Sequence, residues 1–495
     1  MAAPAVLVAT AARARDPSQR DLNSINSVLK PPVSWNGSAH PKDTSREPDA
    51  RQAGSKRLTR LPRARLIAVA TLTTGVLVVG CGGSSQHPTA ATGAGATVAT
   101  TVATGAPSTV AAPSGAPLYC QTGPCLSPQQ YRVAYGIQPL LDSGIDGRGE
   151  TVTVVDPVPP PNTGPTDIRQ DLASFDRTFR LPAARIQVVT SLGGSASPWL
   201  ATGEEAGDLE HVHTVAPGAT LRVVLIPSNV LQSAANATAD MLAALRLAVS
   251  QTDVASISWS LGEHYFTKAQ VAEMHSILVG AEADHVTVIG SSGDDGWFPT
   301  PRGWRGQIKE VSLPASDPLV LGVGGTTLTA NPKTGAYIAE AAWPDSGGGF
   351  SHLYARPGYQ NGLPGISKTR GVPDVAGDAG GVGGMALVLA GTSGGEPHLI
   401  SPPGTSSSAP LWGGLAALAD QYAHHDLGFI NPAIYSIARS SSYHKAFHDI
   451  TTDAITTGTN GYPAAPGWDP VTGWGTPNAQ ILIALLARFT NHSTT

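Results

Sequence analysis

The feature that most limits what this chain can become is an alternation between residues 150 and 324. Short β-branched runs there are separated by stretches of helical character. "ETVTVVD" (150–156), "RIQVVT" (185–190), "LRVVLIP" (221–227), "VASISW" (254–259), "VTVIG" (286–290) and "LVLGVG" (319–324) are almost uninterruptedly apolar. That is the pattern of strands covered on both faces. Between them "TDIRQDLASFDRTFRL", residues 204–214, "SAANATADMLAALRLAVSQT" and "TKAQVAEMHSILVGAEADH" read as helices. Strand and helix in turn require right-handed crossovers, hence an α/β fold with a parallel, doubly wound sheet flanked by helices. Functional side chains in such a sheet gather at the carboxyl ends of strands. Past residue 330 the pattern thins into Gly- and Pro-rich loops, with a strand at "GMALVLAG", a helix after Ser406 and a closing helix "NAQILIALLARFT". No internal repeat is visible, and one domain over 118–495 is expected.

The first 117 residues cannot build a comparable core, because Trp35 is their only aromatic and Ala, Thr, Ser, Gly, Pro and Arg dominate. Residues 1–65 are expected to be a disordered extension. Ahead of the 66–81 segment stand Arg57, Arg60, Arg63 and Arg65, and the segment itself is an apolar run from Leu66 to Gly80 that ends at Cys81. A basic flank and a short apolar stretch describe an export signal, since a spanning helix needs about 20 apolar residues. The "VVGC" ending resembles a bacterial lipobox, which would make Cys81 a lipidated residue. An uncleaved anchor formed by 66–80 and soluble secretion are the other readings. Residues 1–55 ahead of it suit a cytoplasmic tail or a start site assigned too early. Residues 82–117 read as a flexible Ala/Gly/Ser/Thr tether that spaces the domain from Cys81.

Cys120 and Cys125, in "YCQTGPCLS", stand around a Gly-Pro turn, and export favours a small disulfide loop there. Of the 31 basic and 36 acidic residues, 12 and 5 precede Cys81, which leaves 19 and 31 after it, a balance of −12. That balance repels nucleic acid and anionic lipid surfaces. A monomer acting on protein or peptide chains at the cell surface or outside the cell is expected.

The stretch "SPPGTSSSAPLWGGLAALAD" (401–420) puts Ser406 after Gly-Thr and just inside a helix N-terminus. Free N–H groups and the helix dipole favour negative charge at such a place, as acyl transfer requires. Ser393, in "AGTSGGEP", has the same flanks, but the sequence after it cannot propagate a helix. A serine nucleophile needs a base. Asp156 ends the first strand, yet none of the 14 histidines is followed by Gly-Thr, and His211 and His213 fall in the last turn of their helix. In that same helix Glu204 and Asp208 are four apart, so their carboxyls share one face about a turn apart. With Glu205 and Glu210 beside them they could be a solvated acidic face. The strand "VAPGATLRVVLIP" that follows directly draws them instead to the rim of the sheet.

At these residues the chain resembles the sedolisins, or serine-carboxyl peptidases, a family with the subtilisin fold and a glutamate where subtilisins carry histidine. The resemblance runs over about 126–490. It rests on Glu-x-x-x-Asp eight residues before "APGA", then "SSGDDG", "LPASDPLVLGVGGTTL", "SGGGFS", "RGVPDV", "GTSSSAP" and "GWDP". It implies Ser406 as nucleophile, Glu204 as general acid and base, Asp208 as the group orienting Glu204, and Asp294 as the oxyanion-hole side chain, with Asp295 the fallback. A protonated Asp294 implies a preference for acid. The resemblance also implies one Ca²⁺, held by the Asp449 and Asp469 carboxylates and by backbone oxygens of Ile450, Ala465 and Gly467. Ala465 departs from the glycine usual there. Members of the family usually carry a folded propeptide, and the region before 118 reads as signal and tether. A form that folds unaided, or an inhibitor segment supplied separately, is therefore expected. Two functions follow from different classes: an exported endopeptidase, or a catalytically silent surface lipoprotein that uses the fold to bind or scaffold peptides. A histidine-based serine protease is a third.

Overall fold

The structure, a computed structural model, describes residues 117–157, 166–190, 200–201, 203–226, 234–297, 308–366, 368–389, 397–453 and 461–489. The extension 1–65, the 66–81 segment with Cys81, the tether 82–116 and the competing Ser393 lie outside the described residues. Among the described residues no helix is long and apolar enough to cross a membrane.

An eight-stranded sheet organises the domain. Its strands are β1 (Thr151–Pro157), β2 (Arg185–Thr190), β3 (Thr220–Ile226), β4 (Val254–Ile257), β5 (Thr287–Ser291), β6 (Leu321–Ala330), β7 (Tyr337–Ala342) and β8 (Val375–Asp378). They lie in the order β7-β6-β5-β4-β1-β3-β2, with β8 also on β6. Every pairing is parallel except the β6–β7 hairpin. That antiparallel edge was not legible in the sequence, since "YIAEAA" mixes polar and apolar positions as an edge strand does.

The doubly covered faces arise as the apolar runs require. Along β3, Leu221, Val223 and Leu225 enter one core while Val224 and Ile226 enter the other, and β1 divides Val152 and Val154 from Val155 in the same way. Helices α1 (Ile168–Phe179), α2 (Gly203–Val215) and α5 (Thr405–Ala423) pack on the larger core; α3 (Ala234–Ala248) and α4 (Lys268–Ala283) pack on the smaller. Local signals set the helix ends. Asp167 caps α1 by accepting from the Arg169 N–H, and Thr267 with Gln270 forms a reciprocal capping box at α4. Near the amino end of the domain, Cys120 and Cys125 are disulfide-bonded across a small antiparallel hairpin, as the export reading expected.

Two helices fix the site. Helix α5 is buried almost all round, from Thr405 to Asp420, and includes Leu411, Trp412, Leu415 and Leu418. Each such apolar side chain contributes roughly 1.5–3 kcal/mol when fully covered. Gly414 lets α5 approach α2 closely, because a Cβ there would stand 2.5 Å from the Val215 Cβ. Their packing holds the two N-termini, with Glu204 and Ser406, at the same edge of the sheet.

Candidate active site

Helix α2 carries four carboxyls in seven residues, yet it is no solvated acidic face. Glu205, Asp208 and Glu210 are 2%, 1% and 0% exposed, and only Glu204 keeps partial access to solvent. Glu210 Oε2 accepts from the Val388 N–H (2.8 Å), and the acids acting on it are Asp171 and Asp176 rather than the others of this helix. Glu204 and Asp208 join Asp156, at the carboxyl end of β1, in a cluster whose carboxylate oxygens lie within 4.8 Å of one another. Three acids packed so closely in a water-poor place resist ionisation together. Burial, then repulsion from Asp208, Glu205 and Glu204, holds Asp156 well above the ordinary carboxylate range. Burial, then Glu204, does the same to Asp208, opposed by a hydrogen bond from the Ser258 hydroxyl (2.5 Å). Glu204 is pushed up to about 8, chiefly by burial, although the Ser406 side chain acts in the opposite direction by favouring its charged form.

Ser406 sits in the first turn of α5 and is 7% exposed. Its hydroxyl meets no partner at full hydrogen-bond geometry among the described residues, while its influence on Glu204 shows the two side chains to be neighbours. A contact that is long without substrate and tightens with it satisfies both observations. Both residues line one cleft, with Asp208, His211, Gly404 and Ser407. Pro410, inside α5, has no N–H to give the Ser406 carbonyl. The Ser258 hydroxyl stands 3.5 Å from that oxygen, but its single proton goes to Asp208.

Asp294 follows β5 and faces the same helix end. Its Oδ1 accepts from both the N–H and the hydroxyl of Thr405, each at 2.8 Å, which locks the carboxyl beside Ser406. Gly404 suits this approach, for a Cβ there would lie 3.0 Å from Asp294 Oδ2 and would push that carboxyl. Asp295 is also buried, but none of these contacts to Thr405 is its own.

The histidines go elsewhere. His213 Nε2 pairs with Asp176 (3.1 Å) and the Pro182 carbonyl (2.9 Å), on the α1 side of α2. His211 does line the cleft, but its Nδ1–H donates to the Gly207 carbonyl (2.8 Å) and burial lowers its pKa to about 4, so it is neutral at neutral pH. Sequence reasoning took Asp156 only as a possible partner for histidine and passed over Ser258 and Thr405. Position at strand ends was the signal available for Asp156 and Ser258.

At the other candidate centre, Asp449 accepts from the Gly467 N–H through both oxygens (3.0 and 3.1 Å). Asp469 accepts from the Ala465 N–H (3.2 Å), the Val471 and Thr472 N–H groups (2.8 Å each) and the Thr472 hydroxyl (2.9 Å). Both carboxylates thus converge on the loop that carries Ala465 and Gly467, a set of hard oxygens of the kind Ca²⁺ takes. Gly467 has φ +79, whereas Ala465 is not among the residues of positive φ, so alanine is tolerated there.

Comparison with known proteins points to one family. The sequence profile of the Subtilase family matches residues 194–475. The chain is similar to kumamolisin of Bacillus sp. (strain MN-32), at 31% identity over 370 residues, covering 69% of this chain and 61% of that protein. It is similar also to tripeptidyl-peptidase 1 of Bos taurus, at 28% identity over 339 residues, covering 64% and 57%. Among solved structures, Pseudomonas sedolisin, a serine-carboxyl proteinase complexed with two molecules of pseudo-iodotyrostatin, superposes with a TM-score of 0.60 at 26% identity, covering 73% of this chain and 97% of that one. The chain spans about three fifths of the length of these curated relatives. With a subtilase profile over residues 194–475 and likeness to kumamolisin and to Pseudomonas sedolisin, the chain belongs to the subtilase family, in its sedolisin or serine-carboxyl branch.

Proposed function

We propose that this protein is an exported, acid-acting serine-carboxyl endopeptidase of protein and peptide substrates. The observation that carries the reading is the cleft in which Ser406 and Glu204 face one another while Asp208 and Asp156 crowd Glu204 from behind. Ser406 Oγ attacks the scissile carbonyl and its proton passes to Glu204. The oxyanion so formed is stabilised by the N-terminus of α5 and by a protonated Asp294 carboxyl, held in place by Thr405. Collapse of the intermediate breaks the C–N bond, and Glu204 returns the proton to the leaving amine. Water, deprotonated by Glu204, then attacks the acyl-enzyme and releases Ser406.

The raised pKa of Glu204 does not prevent it from acting as a base in acid. Burial holds Glu204 up, with Asp294 and Glu205 adding to it, and close carboxyls titrate as one unit whose first proton leaves at lower pH than its last. One negative charge shared between Glu204 and Asp208 is the state the reaction uses. The Ser258 hydroxyl, bonded to Asp208, holds the geometry of that pair.

In this reading the Asp449 and Asp469 carboxylates, with the carbonyls of Ile450, Ala465 and Gly467, hold one Ca²⁺. The ion would supply charge neutralisation and order to the 449–469 region, not chemistry at the bond being cut. Export rests on the apolar 66–80 segment and on the Cys120–Cys125 disulfide, and retention at the surface on lipid at Cys81.

Casein hydrolysis at pH 4 and at pH 7 tests the proposal. Wild-type cleavage that is greater at pH 4 and lost in both Ser406→Ala and Glu204→Gln is expected. Full activity in either variant removes that residue from its role. Wild type that binds peptide but cuts nothing at any pH leaves the silent scaffold standing. Product sizes by mass spectrometry separate internal cleavage from release of tripeptides.

A further inference from the structure

Beneath the sheet, at the end away from Ser406, lies a second group of acids that the peptidase chemistry does not use. Glu150 immediately precedes β1, Asp253 immediately precedes β4, and Asp426 follows the C-terminus of α5. Oxygens of these three carboxylates lie within 4.8 Å of one another. Their backbones are pinned by the sheet, since the Thr220 N–H donates to the Glu150 carbonyl (2.8 Å) and the Thr287 N–H to the Asp253 carbonyl (3.0 Å). Asp253 Oδ2 also accepts from the Thr151 N–H (2.6 Å).

A fourth acid points to a missing ligand. Asp420, in the last turn of α5, is 1% exposed, and its Oδ1 accepts from the Leu427 N–H (2.9 Å). Its Oδ2 is buried with no hydrogen-bond partner among the described residues. Burial, then Glu150, Asp426 and Asp253, holds Asp420 well above the ordinary carboxylate range, so its carboxyl lies beside the cluster. None of the groups shifting Glu150, Asp253 or Asp420 is basic. The C-terminal carbonyls of α5 add negative potential at the same place. A buried carboxylate oxygen without donor or counter-charge is costly unless something cationic completes it.

We propose that Glu150, Asp253, Asp420 and Asp426 form a second divalent-cation site, of the hard, oxygen-only kind that suits Ca²⁺. Four carboxylates offer up to eight oxygens, enough for most of a six- to eight-fold shell. Such an ion ties the amino ends of β1 and β4 to Asp420 in the last turn of α5, about 21 Å along the helix from Ser406 at 1.5 Å per residue. The site stands apart from the 449–469 centre and does not depend on the peptidase reading.

Calcium binding to the full chain after chelator treatment, titrated at pH 7 with Mg²⁺ as competitor, tests this. Glu150→Gln/Asp426→Asn is expected to bind one ion fewer than wild type, whereas Asp449→Asn/Asp469→Asn keeps the ion assigned here. Asp426→Asn alone, a change at an exposed position, is expected to weaken that ion at least tenfold. Without calcium, the double variant is expected to melt no lower than wild type, because repulsion has been removed; calcium then raises its midpoint less. Equal ion counts in wild type and the Glu150/Asp426 variant would overturn the site, as would unchanged affinity in Asp426→Asn. A double variant that melts lower than wild type in chelator would show the carboxyls to be structural hydrogen-bonding groups instead.

Discussion

The two ends of the sheet each gather three carboxylates within 4.8 Å, and they are not the same kind of place. At the carboxyl end Asp156 and Asp208 are sealed from water and only Glu204 is partly open, with hydroxyls of Ser406 and Ser258 as neighbours. At the amino end Asp426 is exposed and Glu150 and Asp253 are half-buried, while a buried oxygen with no donor among the described residues occurs at both ends, on Asp156 and on Asp420. Hydroxyl neighbours give the first cluster protons to exchange and a nucleophile to serve. The second has charge without a proton relay, which is what a cation completes. Residue type brings acids together at both ends, and burial with the identity of the neighbours decides what each cluster can do.

The largest expected effect breaks the first cluster outright. Ser406→Ala should lower kcat/KM for peptide hydrolysis by about 10⁴-fold or more, as loss of a nucleophile does elsewhere, read with a chromogenic peptide at pH 4. Glu204→Gln keeps the shape of the side chain but cannot take the proton. A loss of about 10²–10⁴-fold is expected, the range of general acid–base catalysis. Asp156, held protonated by burial and its acidic neighbours, carries no charge in the active state, so Asp156→Asn should leave the acid limb of the kcat profile in place with folding intact. Ser258→Ala removes the hydrogen bond that favours ionised Asp208 and should move the same limb upward, with a loss of about tenfold in kcat.

Stability sharpens the contrast more gently. Folded Glu204 holds its proton more tightly than the free side chain, at about 8 against 4.5. The stability contributed by the protonated site is fully present below pH 4.5 and is lost as pH rises towards about 8. Denaturant unfolding across that window should show stability falling as pH rises, with a shallower slope in Glu204→Gln.

Much of this was legible in the chain because it depends on local pattern. Continuous apolar runs foretold strands covered on both faces, and the i, i+4 spacing put Glu204 and Asp208 on one side of their helix. The small-residue run after Ser406 marked a helix pressed against its neighbours. What the sequence hid depends on contacts distant in the chain. Asp156 enters the cluster only because β1 ends where α2 begins, which brings it to Glu204, 48 positions later. The burial of Glu205 and Glu210 follows from packing that covers a helix whose composition looks solvated. Gathering Glu150, Asp253, Asp420 and Asp426 takes two strands and the far end of α5, and no spacing among them hints at it.

The central claim is that a carboxyl, not an imidazole, takes the proton of Ser406. The most direct measurement is the pre-steady-state rate of acylation of Ser406 by an activated peptide ester, from pH 3 to pH 8, in wild type, Glu204→Gln and His211→Ala. The account predicts acylation that is fastest in acid, slowed at least a hundredfold at every pH by Glu204→Gln, with the acid preference kept in His211→Ala. Acylation that peaks near neutrality, survives in Glu204→Gln and fails in His211→Ala would contradict it.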